Sequence, residues 1–308
     1  MPDADGQPLV SVVVPTHYRN DRLDAALDSV AAQTHDRVET IVVDDSGEAH
    51  ARPVAERHDV DYVAFAENRG ANAARTAGVE RAAGAYVQLL DDDDRLEPEK
   101  LARQVDLLGS TTGVGVAYCG MTFDDGRRFD PDPDARGDVL DRALAFDLYP
   151  CVTSTMLAER RLYDAVLPLA DRPGAQDLGL MVEFARRTRF EFVDEPLVVR
   201  GDPPGSLGGS LGVFEGRRDI VREYADLYDP ATRARALAST HEFRASKLLA
   251  DRRWSARAVA DLALVAWWRR TPRSVALLAA SLFGAPGVRL GSRLAGGSAA
   301  ATGGAATD

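Results

Sequence analysis

Gly84-Ala-Tyr-Val-Gln-Leu-Leu-Asp-Asp-Asp-Asp94 runs a short apolar strand straight into four consecutive carboxylates. Like charges this close repel, and seating them at the end of a buried strand costs stability unless a cation compensates. Donors that are all carboxylates suit Mg2+ or Mn2+. Magnesium takes one or two protein carboxylates and lets phosphates and waters complete its octahedron. The alternative is a solvated acidic loop, in a chain with other acidic runs such as Asp130-Pro-Asp-Pro-Asp134.

Upstream of that run, residues 9–14 are nearly all apolar and mostly β-branched, and Pro15 ends them. This pattern predicts a strand buried on both faces, as in a parallel sheet. Residues 21–33 put Leu23, Ala26, Leu27, Val30 and Ala31 on one helical face, and 38–43 form a second apolar run ending in Asp44-Asp45-Ser46-Gly47. Helices are expected at 49–58 and 70–83, with strands at 62–65 and 85–90. After the aspartates come a helix bearing Leu101, Val105 and Leu108, with Pro98 near its start, and a strand at 114–119. Such alternation predicts an α/β fold with a mostly parallel twisted sheet flanked by helices. Downstream, 124–137 reads as a loop or hairpin, 152–157 as a strand, 178–187 as a helix and 190–193 as a strand. The glycine-rich 201–212 reads as a mobile loop or a linker. From 213 to 288 the pattern is helical, and 289–308 is expected to be a disordered tail.

At 308 residues and 45% hydrophobic content the chain can bury one large α/β domain with a C-terminal helical extension. A net charge of −11 argues against a nucleic-acid partner, which needs clustered positive surface. Lysine occurs only at Lys100 and Lys247, so arginine carries nearly all the positive charge. Cys119 and Cys151 have no metal-ligand spacing and read as buried free thiols. The polar, acidic start does not resemble a secretory signal, so a cytoplasmic location is expected. The uncharged stretch 274–288 is shorter than the roughly 20 residues that span a bilayer.

In an open α/β sheet, ligands gather at the carboxyl ends of strands, where Pro15-Thr16-His17-Tyr18, Asp44-Asp45 and Asp91–Asp94 all fall. The ordered string Val10-Ser-Val-Val-Val-Pro-Thr16, Gln33-Thr34, Glu39-Thr-Ile-Val-Val-Asp-Asp-Ser-Gly47, Asn68-Arg-Gly70, Ala74-Arg75, Gly78 and Gly84–Asp94 resembles a family 2 glycosyltransferase with the GT-A fold. The resemblance covers roughly the first 200 residues by the spacing and order of these motifs. It implies a catalytic domain over 1–212, with nucleotide-sugar binding in 9–120 and the acceptor side in 121–212, followed by the helical extension 213–288. The activity it implies is inverting transfer of a sugar from a nucleoside diphosphate to an acceptor hydroxyl, dependent on Mg2+ or Mn2+.

By that resemblance Thr16 and Asp45 contact the base and ribose, Arg75 neutralises diphosphate or orients Asp91, and Asp91-Asp92-Asp93 matches the Asp-x-Asp motif. Asp93 is then the metal ligand, with Asp91 beside it, and Asp91 or Asp92 also reaches ribose or the metal's waters. Asp94 is the least assigned member and reads as solvated. Asp44 reads equally as a strand-end cap or a direct contact. An inverting transferase needs a general base, a task suited to a carboxylate. The candidate is Asp177, before a helix where family members typically show Glu-Asp; here Gln176 replaces the glutamate. Tyr18 departs from the family's usual Asn. Arg200 matches a late basic position that grips leaving phosphate, and Pro150–Thr155 resembles an acceptor-side strand. The implied donor is a nucleotide sugar, UDP-linked before GDP-linked. The acceptor is a glycan or a lipid-linked oligosaccharide of the cell surface.

Trp267-Trp268-Arg269-Arg270 and Arg273, ahead of an apolar run, suit either peripheral membrane contact through 254–288 at the inner face of the cell membrane or packing on the catalytic domain. A sugar-nucleotide pyrophosphorylase shares the α/β sheet and metal carboxylates but carries a glycine-rich phosphate loop, and Pro15–Arg19 has no glycine. A catalytically silent donor-binding scaffold is disfavoured by the presence of both Asp93 and Asp177.

Overall fold

The computed structural model describes residues 6–201, 210–251 and 254–288. The chain divides into two compact units. One gathers Met1–Val139, Leu148–Asp171 and Leu180–Pro204; the other gathers Leu140–Asp147, Arg172–Gly179 and Gly205–Asp308.

The first unit is built outward from β1 (Val10–Thr16), all of whose residues are buried. α1 (Asn20–Ala31) turns Leu23, Ala26, Leu27 and Val30 inward. β2 (Val38–Asp44) then pairs in parallel with β1, from Val10 opposite Val38 to Thr16 opposite Asp44. α2 (Arg52–Ala55) and β3 (Asp61–Ala64) follow. The helix expected over 49–58 shrinks to four residues because Asp44 takes the Ala51 N–H at 2.7 Å and holds the preceding segment as a loop. α3 (Ala71–Arg81) lies close over β1: a Cβ on Gly78 would stand 2.2 Å from Val13 Cγ1. β4 (Tyr86–Leu89) completes a parallel quartet, with Val13 opposite Leu89.

Beyond β4 the sheet becomes mixed. β5 (Arg95–Leu96), α4 (Lys100–Ser110), β6 (Val114–Phe123) and β7 (Arg128–Phe129) follow, and the end of β6 pairs with β7 in a hairpin whose turn and second strand lie in the polar 124–137 region. After α5 (Leu140–Leu144), which belongs to the second unit, come β8 (Leu157–Glu159), α6 (Arg160–Asp164), α7 (Gln176–Ala185) and β9 (Arg189–Arg200). The sheet order is β3-β2-β1-β4-β8-β6-β9-β5, with β7 on β6. β8 pairs antiparallel with both β4 and β6, whereas β9 runs parallel to β6.

The strand expected at 152–157 is a correction. Residues 153–155 form a turn and only Leu157 of that span is strand, because the Thr155 hydroxyl accepts from Val152 N–H at 2.8 Å and donates to Pro150 O at 2.8 Å, folding the segment on itself. β9 outruns the expected 190–193 and absorbs Pro196 at a register irregularity beside Gly120, where a missing N–H is tolerated. The core joins Val10, Val12 and Val14 to Leu23, Leu27, Leu101, Val105, Leu157 and Val198. Each fully buried aliphatic side chain contributes roughly 1.5–3 kcal/mol. Cys119 and Cys151 are buried and free, as the sequence suggested.

The second unit is helical: α5, α8 (Gly212–Glu223), a 3-10 turn at Ala225–Leu227, α9 (Pro230–Asp251), α10 (Ala256–Arg269) and α11 (Pro272–Ser281). Tyr228 donates to Leu144 O at 2.8 Å, tying α5 to this helical stack. Ser255 caps α10, and a Thr271–Ser274 capping box starts α11 immediately after Arg270 turns left-handed at φ 50°. The loop expected at 201–212 falls largely, and the tail at 289–308 wholly, outside the described residues. Among those residues no helix is long and apolar enough to cross a membrane.

Candidate functional site

Parallel pairing of β1, β2 and β4 puts three polar strand ends side by side: Thr16, Asp44-Asp45 and Asp91–Asp94. The acidic turn is braced from both flanks. Arg75, from α3, donates to Asp91 Oδ1 at 2.6 Å and to Asn72 Oδ1 at 3.0 Å. Thr16 donates to Asp92 Oδ2 at 2.8 Å. Arg19, just ahead of α1, reaches Asp92 Oδ1 at 3.0 Å and Asp93 Oδ2 at 3.2 Å. Arg22 stands 3.9 Å from the same Asp93 oxygen.

Asp94 is the correction at this turn. It is not solvated but 1% exposed, accepts the Gly201 N–H at 3.0 Å through Oδ1, and has the Ser154 hydroxyl and the Arg200 charge favouring its ionised form. Oxygens of Asp91, Asp93 and Asp94 lie within 4.8 Å of one another. Three hard carboxylate donors this close together are the donor set that Mg2+ or Mn2+ accepts.

The electrostatics separate the four aspartates. Burial opposes ionisation of Asp91, but the Arg75 guanidinium overrides it and holds the carboxyl below the usual range. Burial raises Asp92 despite Thr16 and Arg19. Burial and the neighbouring Asp91 and Asp92 charges push Asp93 up to about 6. Burial and the Asp91 charge push Asp94 up to about 8, against the pull of Arg200. Arg200 ends β9 and acts on both Asp91 and Asp94. Two carboxyls held this far above their ordinary range mark a cluster whose charge the fold leaves unbalanced.

Asp45 is engaged by the chain itself. Its two oxygens accept the Arg69 and Gly70 N–H groups at 2.6 and 2.8 Å, fixing the entry to α3. Lone pairs remain on both oxygens for a ribose or base donor. Asp44 is wholly buried and accepts from Ser46 N–H, Ala51 N–H and the Tyr62 hydroxyl, so the strand-end anchor reading is the one the geometry supports. His17 Nδ1 lies 3.0 Å from Asp45 O, and Tyr18, with φ 55° and nearly half exposed, donates to Ser46 O.

A polar network that the sequence did not reveal lies beneath the turn. Gln88, in the middle of β4, donates to the Thr153 and Ser154 carbonyls at 3.1 and 3.0 Å, and the Ser154 hydroxyl accepts the Asp91 N–H at 3.3 Å. Lys100 is fully buried, donates to Gln88 Oε1, and is pushed down to about 7 by burial. Gln88 interrupts the apolar run of residues 86–90, and that break is its only trace in the sequence; Lys100, preceded by Glu97-Pro-Glu99, leaves none.

Asp177 lies in the second unit, on the first turn of α7, half-buried, with Oδ1 accepting the Leu178 N–H at 2.9 Å. Arg217 of the same unit is buried against the rings of Phe146 and Phe243 and feels the Asp177 and Glu242 charges. Burial nonetheless pushes its guanidinium down to about 10.

Residues 11–166 match the family model described as Glycosyl transferase family 2. Among curated proteins, the chain is similar to the succinoglycan biosynthesis protein ExoO of Rhizobium meliloti (strain 1021), 37% identical over 108 residues, covering 34% of this chain and 31% of ExoO. The matched part of the chain spans at most 42% of the length of such curated relatives. Among solved structures, S. aureus TarS 1-349 in complex with UDP-GlcNAc is 16% identical with a TM-score of 0.65, covering 94% of this chain and 92% of that one. The mannosyltransferase PcManGT from Pyrobaculum calidifontis, in complex with GDP-Man and Mn2+, is 21% identical with a TM-score of 0.60, covering 97% and 83%. At these identities the likeness is one of fold, and that fold is GT-A.

Proposed function

The chain belongs to glycosyl transferase family 2, and from that premise we propose that it moves a sugar from a nucleoside diphosphate to an acceptor hydroxyl with inversion. The observation that carries this reading is the acidic turn after β4, where oxygens of Asp91, Asp93 and Asp94 lie within 4.8 Å of one another and Asp93 and Asp94 sit well above the ordinary carboxyl range. Asp93 and Asp91, joined by Asp94, would hold the divalent cation. When bound, Mg2+ or Mn2+ supplies positive charge that offsets the charge developing on the leaving diphosphate.

In this reading Thr16 and Asp45 meet the base and ribose, and Asp92 supports the donor from its bond to Thr16. Arg75 fixes Asp91 and faces the diphosphate, and Arg200 adds positive charge there. Asp177 is the proposed catalytic base: it takes the proton of the acceptor hydroxyl as that oxygen bonds to the anomeric carbon. The anomeric carbon's bond to the diphosphate oxygen breaks with its electron pair on the phosphate. Preorganised charge of this kind acts most strongly where water is excluded.

A UDP-sugar is the preferred donor, in keeping with the UDP-GlcNAc bound by TarS, while the GDP-Man of PcManGT marks the competing choice. A cell-surface polysaccharide or a lipid-linked oligosaccharide, at the cytoplasmic face, is the proposed acceptor; succinoglycan biosynthesis by ExoO is the supporting parallel. Melting curves with a panel of nucleotide sugars test the reading, because a ligand bound only by the native state raises apparent stability. The expected result is a shift with one donor that requires Mn2+. A panel without any Mn2+-dependent shift overturns it.

A further inference from the structure

α10 and α11 each turn one face inward. Ala258 and Leu262 of α10 pack with Ala245 and Leu249 of α9, and Leu277 and Leu278 of α11 close over them. The opposite faces carry large, exposed apolar side chains, and the Arg270 guanidinium lies over the Trp267 ring at 5.4 Å from its centroid. Leu264 and Trp267 lie on α10, Val275 on α11, and Leu282 and Phe283 just beyond, with Trp267 68% and Phe283 79% exposed. Side chains of this size rarely stand exposed together without an interaction to serve.

The charges of this hairpin are one-sided. In a chain of net charge −11, the stretch 254–288 has a single acidic residue, Asp261. That carboxylate is buried and consumed by Arg244 and His241. Arg257, Arg270 and Arg273 remain around the apolar surface, and Arg269 pairs with Glu242 at 2.6 Å. Exposed indole and phenyl rings bordered by arginines match the boundary of an anionic bilayer, where rings enter the headgroup layer and guanidinium groups meet lipid phosphate. A second copy of the chain fits poorly, since pairing two such faces would bring together surfaces of the same positive charge.

We propose that the outward face of the α10–α11 hairpin docks on an anionic lipid surface through Trp267, Leu282 and Phe283, with Arg270 and Arg273 on the headgroups. The inference is independent of sugar transfer, so either can fail alone. Co-sedimentation of the full chain with phosphatidylcholine vesicles, with and without one third phosphatidylglycerol, tests it. Binding is expected only with phosphatidylglycerol and should weaken in high salt. It should fall about tenfold in Trp267→Ala/Phe283→Ala and about fivefold per residue in Arg270→Ala and Arg273→Ala. Unchanged melting temperatures would show that the variants remain folded. Equal binding to both vesicle types, or none to either, overturns the proposal. So does light scattering that finds a dimer which Trp267→Ala dissolves, because the face is then a contact between copies.

Discussion

Two acidic runs end neighbouring strands of the same parallel quartet, and the fold treats them in opposite ways. After β2, Asp44 spends its oxygens on backbone N–H groups and a tyrosine hydroxyl, and its burial is outweighed by the Ala51 and Tyr62 bonds that hold its carboxyl below the usual range. After β4, burial is not outweighed, and Asp93 and Asp94 remain hard to ionise. The lesson is that a carboxylate satisfied by its own chain builds the cleft, whereas one left hard to ionise is held for something that arrives.

Substitution should separate the two runs. Asp93→Asn is expected to leave the melting temperature close to that of the parent while lowering turnover about a thousandfold, the several kcal/mol of charge stabilisation at stake; near-normal transfer would erase the contrast. Asp177→Asn, at the proposed base, should keep donor binding by calorimetry while losing turnover, and loss of donor binding would make that residue structural. Asp44→Ala should do the reverse. It strands two N–H groups and a hydroxyl and should cost about 3 kcal/mol in urea unfolding.

A subtler perturbation is Gly201→Ala. Its Cβ would stand 2.3 Å from the Asp93 carbonyl oxygen, so the acidic turn must shift. Turnover should fall about a hundredfold, as misplacements near an ångström do, with little change in melting.

The smallest effect is one of sign. Without metal, the folded chain binds protons at Asp93 and Asp94 that the unfolded chain has released. The cluster therefore withdraws stability as pH rises from about 4, the ordinary carboxyl range, through about 8. Asp44 behaves oppositely, and its contribution is lost only as pH falls through its depressed value. In EDTA, Asp94→Asn should gain melting temperature relative to the parent between pH 5 and pH 8.5. Mn2+ should reverse that gain, because metal binding requires ionised carboxylates. Parallel melting curves for the two proteins would remove the distinction.

Periodicity made the parallel half of the sheet readable, since Val10–Thr16 and Val38–Asp44 admit little but buried strands. The acidic turn was readable for a different reason: four adjacent charges after such a strand demand a partner. Asp94 was not, because its burial depends on Gly201, 107 residues further on. Gln88 and Lys100 were hidden because patterning counts a polar residue as a surface residue, and only the surrounding carbonyls reveal that it is satisfied inside. Val152, Thr153 and Thr155 are β-branched, yet a hydroxyl competing for the backbone made 153–155 a turn. The short excursions 140–147 and 172–179 join the helical unit through contacts that no local pattern announces.

The burial of Lys100 has a practical consequence. Of the two lysines in the chain it is inaccessible, and its amine gives up its proton near neutrality without meeting solvent. An amine-directed dye would therefore find Lys247 as its lysine target, on α9 beside the hairpin. The protein thus offers one natural lysine attachment point for a fluorescent reporter, in the same unit as the surface whose approach to lipid it would sense.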